Sequence, residues 1–181
     1  MRPPSLVSNP KASPFENPDA RAIVRLQSDH INRSLVPAFY RYIQAQDPSA
    51  QIEGGKEFHR SIEGIVDLFE RAEKENEGAA LGLWKEGGEL GLADVMAGPC
   101  QCASILSGTL LYKLITSNPA GLFRAGNVLK HYRGFELPQG PKVRAWLDRL
   151  FHHPAFRATC STEELYLDSY ERLVSVFFRF H

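Results

Sequence analysis

The chain is poor in the residue types that announce common functions. Among 181 residues there are three cysteines, two methionines and two tryptophans, and 21 Lys and Arg balance 21 Asp and Glu. An odd, sparse set of cysteines builds no disulfide framework and fits a reducing cytosol. Zero net charge removes the electrostatic case for a nucleic-acid partner. Strand-like alternation, internal repeats and low-complexity tracts are all missing. The opening residues, Met-Arg-Pro-Pro-Ser-Leu-Val-Ser, lack the apolar core of a signal peptide, so a cytoplasmic location is expected. Gly87-Gly88 is followed by no Lys-Ser/Thr, which excludes a phosphate loop. The histidines, His30, His59, His131, His152, His153 and His181, have no metal-ligand spacing, and no metal is expected. No Ser-His-Asp set can be read from spacing.

Long uninterrupted apolar runs are missing too. The most apolar stretch, Leu90 to Ile115, is broken by Asp94, Gly98, Pro99, Gln101, Ser104, Ser107, Gly108 and Lys113. A bilayer helix wants ~20 predominantly apolar residues, so this stretch reads as a buried helix, not a membrane span.

What is present is helical periodicity. Residues 1–17, rich in Pro, Ser and Asn, read as an extended arm, and 18–181 as one helical domain. From Pro18 the apolar positions Ile23, Leu26, His30/Ile31, Leu35, Phe39 and Ile43 mark a first helix, kinked where Pro37 removes a backbone donor. Asp47-Pro48 and Gly54-Gly55 mark the first connection. Phe58, Ile62, Ile65, Phe69 and Ala72 then form one stripe of a second helix. The central helix runs from Leu92 to Thr116. A loop from Asn118 to Gly140 precedes a helix opened by Pro141, with Val143, Trp146, Leu147 and Leu150 on its core face. The capping box Ser161-Thr-Glu-Glu164 starts a last helix. The fold class is all-α, a bundle of about five or six helices around the buried Leu92–Thr116 helix.

Asp94 is the most telling residue. Burying a carboxylate costs several kcal/mol unless it is hydrogen-bonded. A helix start, with its free N–H groups and favourable dipole, provides those bonds. Asp94 is therefore expected to turn back onto the backbone N–H groups near Gly91, in a structural role. Cys100 and Cys102 lie two apart on a helix, point to opposite sides and cannot pair or share a metal. Arg25, Asp29 and Arg33 form an i, i+4, i+8 stripe. It reads either as a solvated salt-bridge ladder or as a carboxylate-binding site, since Arg binds carboxylates bidentately.

The Glu89–Pro99 run resembles the capped start of the central helix in the C-terminal helical domain of glutathione transferases, with Gly91 at the family's Ser/Thr position. Asn17-Pro-Asp-Ala-Arg-Ala-Ile-Val-Arg, Asp29-His-Ile-Asn and Val36-Pro-Ala-Phe-Tyr resemble that domain's first helix. Val143-Arg-Ala-Trp-Leu-Asp-Arg-Leu-Phe and Pro154-Ala-Phe-Arg-Ala-Thr159 resemble its Trp-containing helix and following turn. Order and spacing agree from Pro18 to Tyr170, and omega-like fungal members are the most similar. The chain opens where the family's domain linker would be. The family's thioredoxin-like domain, with its thiol-activating residue, cis-proline and Glu-Ser motif, has no counterpart in it.

The resemblance implies glutathione as cosubstrate and a small apolar electrophile as its partner. The reaction would be conjugation, or glutathione-assisted cis–trans isomerisation of a conjugated double bond, as in fungal secondary metabolism. It places glutathione against Arg25, Asp29 and Arg33, and lines the substrate pocket with Cys100, Ala103 and Ser107. His30, on the inner side of the first helix, is a further substrate-pocket candidate beside its reading as a satisfied core histidine. No catalytic residue is assigned. The competing reading is a non-catalytic interaction module, for which Leu122–Phe135, with three Arg or Lys plus Tyr132 and Phe135, would supply contacts. The apolar tail Leu173–His181 must be covered, and a homodimer or a docked tail is expected.

Overall fold

The computed structural model describes residues 18–75, 81–97, 125–159 and 162–175. Every regular element among them is helical. In chain order they are α1 (Pro18–His30), a π-turn (Ile31–Leu35), α2 (Val36–Gln44), α3 (Pro48–Glu75), a 3₁₀ turn (Gly82–Trp84) and α4 (Leu92–Ala97). A second π-turn (Ala125–Leu129), α5 (Lys130–Arg133), α6 (Pro141–His152), α7 (Pro154–Thr159) and α8 (Glu163–Ser175) complete them. Among the described residues no helix is long and apolar enough to cross a membrane.

The first helix deforms earlier than its proline. Pro37 sits in the first turn of α2, but the backbone before it is helical too, so its missing N–H removes one donor from a continuous run. The widened turn Ile31–Leu35 lies directly before it. Leu26 does not join the core: it is 46% exposed, while the polar Gln27 is fully buried. Helical phase explains the exchange. At 3.6 residues per turn, position 27 lies at the centre of the arc set by Ala20, Ile23 and Ile31, and position 26 about 100° away.

The connection between α2 and α3 is shorter than the sequence implied. Asp47 caps α3 at once, its Oδ2 accepting the Ala50 N–H at 3.0 Å. That bond and one from the Ser49 hydroxyl hold the Asp47 carboxyl below its ordinary value. Gly54 and Gly55 therefore lie inside the helix. They are there for packing: a Cβ on Gly54 would stand 3.0 Å from Tyr42 Cα, and one on Gly55 3.2 Å from Tyr42 Cζ. Two glycines let α2 lie against α3.

α3 organises the core. Its stripe of Phe58, Ile62, Ile65, Phe69 and Ala72 is buried as the periodicity predicts. Each such large side chain contributes ~1.5–3 kcal/mol on burial. At one end Phe58 meets Phe39 and Phe135 edge to face, at 6.0 and 5.1 Å between centroids. Three helical turns on, Phe69 stacks on Trp84 at 5.1 Å and leans on Trp146 at 5.0 Å. Val143, Trp146, Leu147 and Leu150 of α6 are buried as expected. Lys142 ties the start of α6 to Glu73 near the end of α3 at 2.7 Å.

Three boundaries differ from the sequence reading. The expected loop from Asn118 to Gly140 is helical over Ala125–Arg133. The last helix is capped by Thr162, one residue later than Ser161, because its hydroxyl faces the Leu165 N–H at 3.4 Å. Leu165 at that third position cannot reach back, so no reciprocal box forms. Of the central helix only Leu92–Ala97 is described; its continuation to Thr116, the arm 1–17 and the tail beyond Ser175 lie outside the described residues.

Candidate functional site

Asp94 sits where three segments converge, the start of α4, the 3₁₀ turn and α6. Gly91 stands at the cap position of α4, its carbonyl accepting the Val95 N–H at 3.1 Å. Asp94 turns back as expected: Oδ2 accepts the Gly91 N–H at 2.8 Å. Two further partners were not legible in the sequence. The same oxygen accepts the Leu83 N–H at 2.8 Å, and Oδ1 accepts the indole N–H of Trp146 at 2.8 Å. The residue is fully buried. Burial is the larger influence and pushes the carboxyl above its ordinary value, while the three N–H donors oppose it.

The 3₁₀ turn that feeds Asp94 is held from its other side. Arg149 on α6 donates to the carbonyls of Leu83 and Trp84, at 2.7 Å each. Gly82 adopts φ +53°, and a Cβ there would lie 2.1 Å from Asp94 Oδ2. Only glycine combines that backbone with that approach. Arg149 was missed because its partners are backbone atoms of a turn that leaves no mark in α6.

α1 packs against both α3 and α4. Arg25, Asp29 and Arg33 are all exposed. Asp29 engages Arg33, 2.7 Å from its Nε, with side chains 56% and 79% accessible. Such a pair contributes little to stability.

His30 is directed elsewhere. Its Nε2 lies 2.7 Å from the Ser61 carbonyl on α3, and its ring covers Gly64, where a Cβ would come within 2.5 Å of Cε1. It joins α1 to α3, half-buried, in the manner of a satisfied core histidine. Cys100, Ala103 and Ser107 lie outside the described residues. His152 faces its own Asp148 at 3.1 Å. Among the described residues no group of three or more His, Cys, Asp or Glu is placed to hold a metal.

Of the stretch read as a charged contact surface, residues 122–124 lie outside the described residues, Lys130 and His131 are exposed, and Tyr132, Arg133 and Phe135 are turned inward. Arg133 donates to the carbonyls of Ile43 and Ala45 at 2.6 and 2.8 Å, closing the end of α2. Burial lowers its pKa from the ordinary value. The Tyr132 hydroxyl donates to the Leu167 carbonyl at 2.9 Å, and Phe135 is buried.

Two open grooves are lined by described residues. One, of about 570 Å³, runs along α6 between Leu137, Arg144, Leu147 and Phe151. The other, of about 520 Å³, lies between α3 and the turn after α5. Neither is lined by the α1 stripe or by His30. No protein-family model, no curated protein and no solved structure matches the chain.

Proposed function

We propose that this chain is a glutathione transferase-like helical domain that binds glutathione and acts on a small apolar electrophile. One observation carries the reading: the acidic residue of the proposed helix-start motif is bonded to the tryptophan of the proposed Trp-helix motif, 52 positions apart in sequence. Two stretches that resemble the family independently thus meet in one buried contact.

Arg25 on α1 and Arg33 in the π-turn that follows it, both exposed, suit the two carboxylates of glutathione, and Asp29 its ammonium group. In the reaction, the thiol loses its proton to a base and the sulfur bonds to one carbon of the conjugated double bond, whose π electron pair moves onto the activated neighbouring carbon. Conjugation ends when that carbanion takes the proton back from the base. In isomerisation the bond rotates after addition, the sulfur leaves and the double bond re-forms. The base, the pocket around Cys100, Ala103 and Ser107, and a homodimeric assembly in the cytoplasm are parts of the same proposal.

The interaction-module reading loses weight, because Arg133, Tyr132 and Phe135 are used inside the fold. Melting the full chain with increasing reduced glutathione tests the choice. A concentration-dependent rise in Tm, as expected for a ligand that binds only the native state, supports a glutathione site. A flat response assigns the chain to the interaction class.

A further inference from the structure

The groove between α3 and the turn after α5 has a chemistry of its own. Its volume, about 520 Å³, falls within the range of small-molecule sites, ~300–1,000 Å³. The floor is aromatic: Tyr42 and Phe135 meet there edge to face, 6.0 Å between centroids. Both rings are mostly buried, 7% and 8% exposed, and reach the groove by their edges beside Gly55, where a Cβ would lie 3.3 Å from the Tyr42 hydroxyl.

The walls carry opposite charges. Arg60 extends from α3 and Glu136 from the facing turn. The remaining charged groups are already engaged: Lys56 bonds Glu53 at 2.8 Å, and His59 faces Glu63 at 3.4 Å. Arg60 and Glu136 form no ion pair with each other or with another described residue. Two unlike charges thus flank an aromatic floor without neutralising one another.

We propose that this groove binds a free aromatic amino acid as its zwitterion. The carboxylate sits on the Arg60 guanidinium, the ammonium on the Glu136 carboxylate, and the ring packs edge to face with Tyr42 and Phe135. A ligand of one charge would leave either Arg60 or Glu136 facing a like charge or nothing. No residue of α1 lines the groove, so the site is independent of the glutathione reading.

Calorimetric titration of the full chain with phenylalanine, N-acetylphenylalanine and phenylalanine amide tests the assignment. Phenylalanine is expected to bind saturably. Each derivative lacks one charge and is expected to bind about tenfold more weakly, the scale of one charge-assisted hydrogen bond. Glu136→Gln should weaken phenylalanine about tenfold and leave N-acetylphenylalanine unchanged. Arg60→Gln should do the same relative to phenylalanine amide. Both side chains are exposed, so the fold should tolerate either change. Arg33→Ala should leave all three affinities unaltered. Absence of saturable phenylalanine binding, equal affinity for the three probes, or unchanged affinity in both variants would overturn the proposal.

Discussion

The Trp146 indole N–H donates to Asp94 Oδ1 at 2.8 Å, joining the start of α4 to the middle of α6. Both residues are fully buried, so neither has water as an alternative partner. Asp94→Ala should lower stability by about 2–4 kcal/mol, combining a lost cap with buried donors left unpaired. Trp146→Phe keeps most of the ring and removes the donor, and should cost less. In a double-mutant cycle the two losses should fall short of additivity, because they break one shared bond. Urea unfolding of the four proteins measures the coupling, and strict additivity would mean that the bond contributes nothing.

The same carboxyl sets a pH dependence. Burial raises the folded pKa of Asp94 above the ordinary 3.8, so the folded state holds the proton more readily than the unfolded chain. The titration-linked stability is then fully present below about pH 3.8 and declines as pH rises through the folded value. Asp94→Asn has no such titration. The stability gap between wild type and this variant should therefore be widest in acid and narrow towards neutrality. A gap that widens with pH would mean that the three N–H donors outweigh desolvation.

Two glycines a few residues apart separate backbone strain from steric conflict. Gly82 and Gly87 both have positive φ, +53° and +71°. A Cβ at Gly87 meets nothing within 4 Å, whereas one at Gly82 collides with Asp94 Oδ2. Gly87→Ala should cost only the left-handed conformation, about 1–2 kcal/mol. Gly82→Ala should cost clearly more, since the carboxylate must leave the Gly91 and Leu83 N–H groups. Equal losses in thermal melts would show that Asp94 can re-cap α4 from elsewhere.

Much of this was legible in local pattern. The α3 stripe follows from spacing alone, and so does the return of Asp94 to Gly91, because a carboxylate near a helix start has few other partners. Long-range uses of the same residues were not legible. Nothing near Asp94 in sequence points to Leu83 or Trp146, and nothing in α6 marks Arg149 as the clamp on the 3₁₀ turn. The Gly54-Gly55 pair misled because a glycine pair ordinarily breaks a helix; only the packed Tyr42 reveals why the helix keeps it. Leu26 misled because apolar character was weighed above phase, and the π-turn that completes the phase has no local sequence signature. Of the proposed site, the exposure of Arg25, Asp29 and Arg33 agrees with either of their readings, whereas His30 is accounted for by its bond to α3.

The central claim is that the exposed face of α1 and the π-turn after it holds glutathione, and calorimetric titration of wild type and Arg33→Ala tests it most directly. Arg33 is largely exposed and, among the described residues, bonded to Asp29 alone, so its removal should leave stability within about 0.5 kcal/mol of wild type. Saturable binding to wild type, weakened about tenfold in Arg33→Ala by loss of one charge-assisted contact, is the predicted result. Binding of equal strength in both proteins would remove the arginine stripe from the site, and no heat of binding in either would contradict the glutathione reading itself.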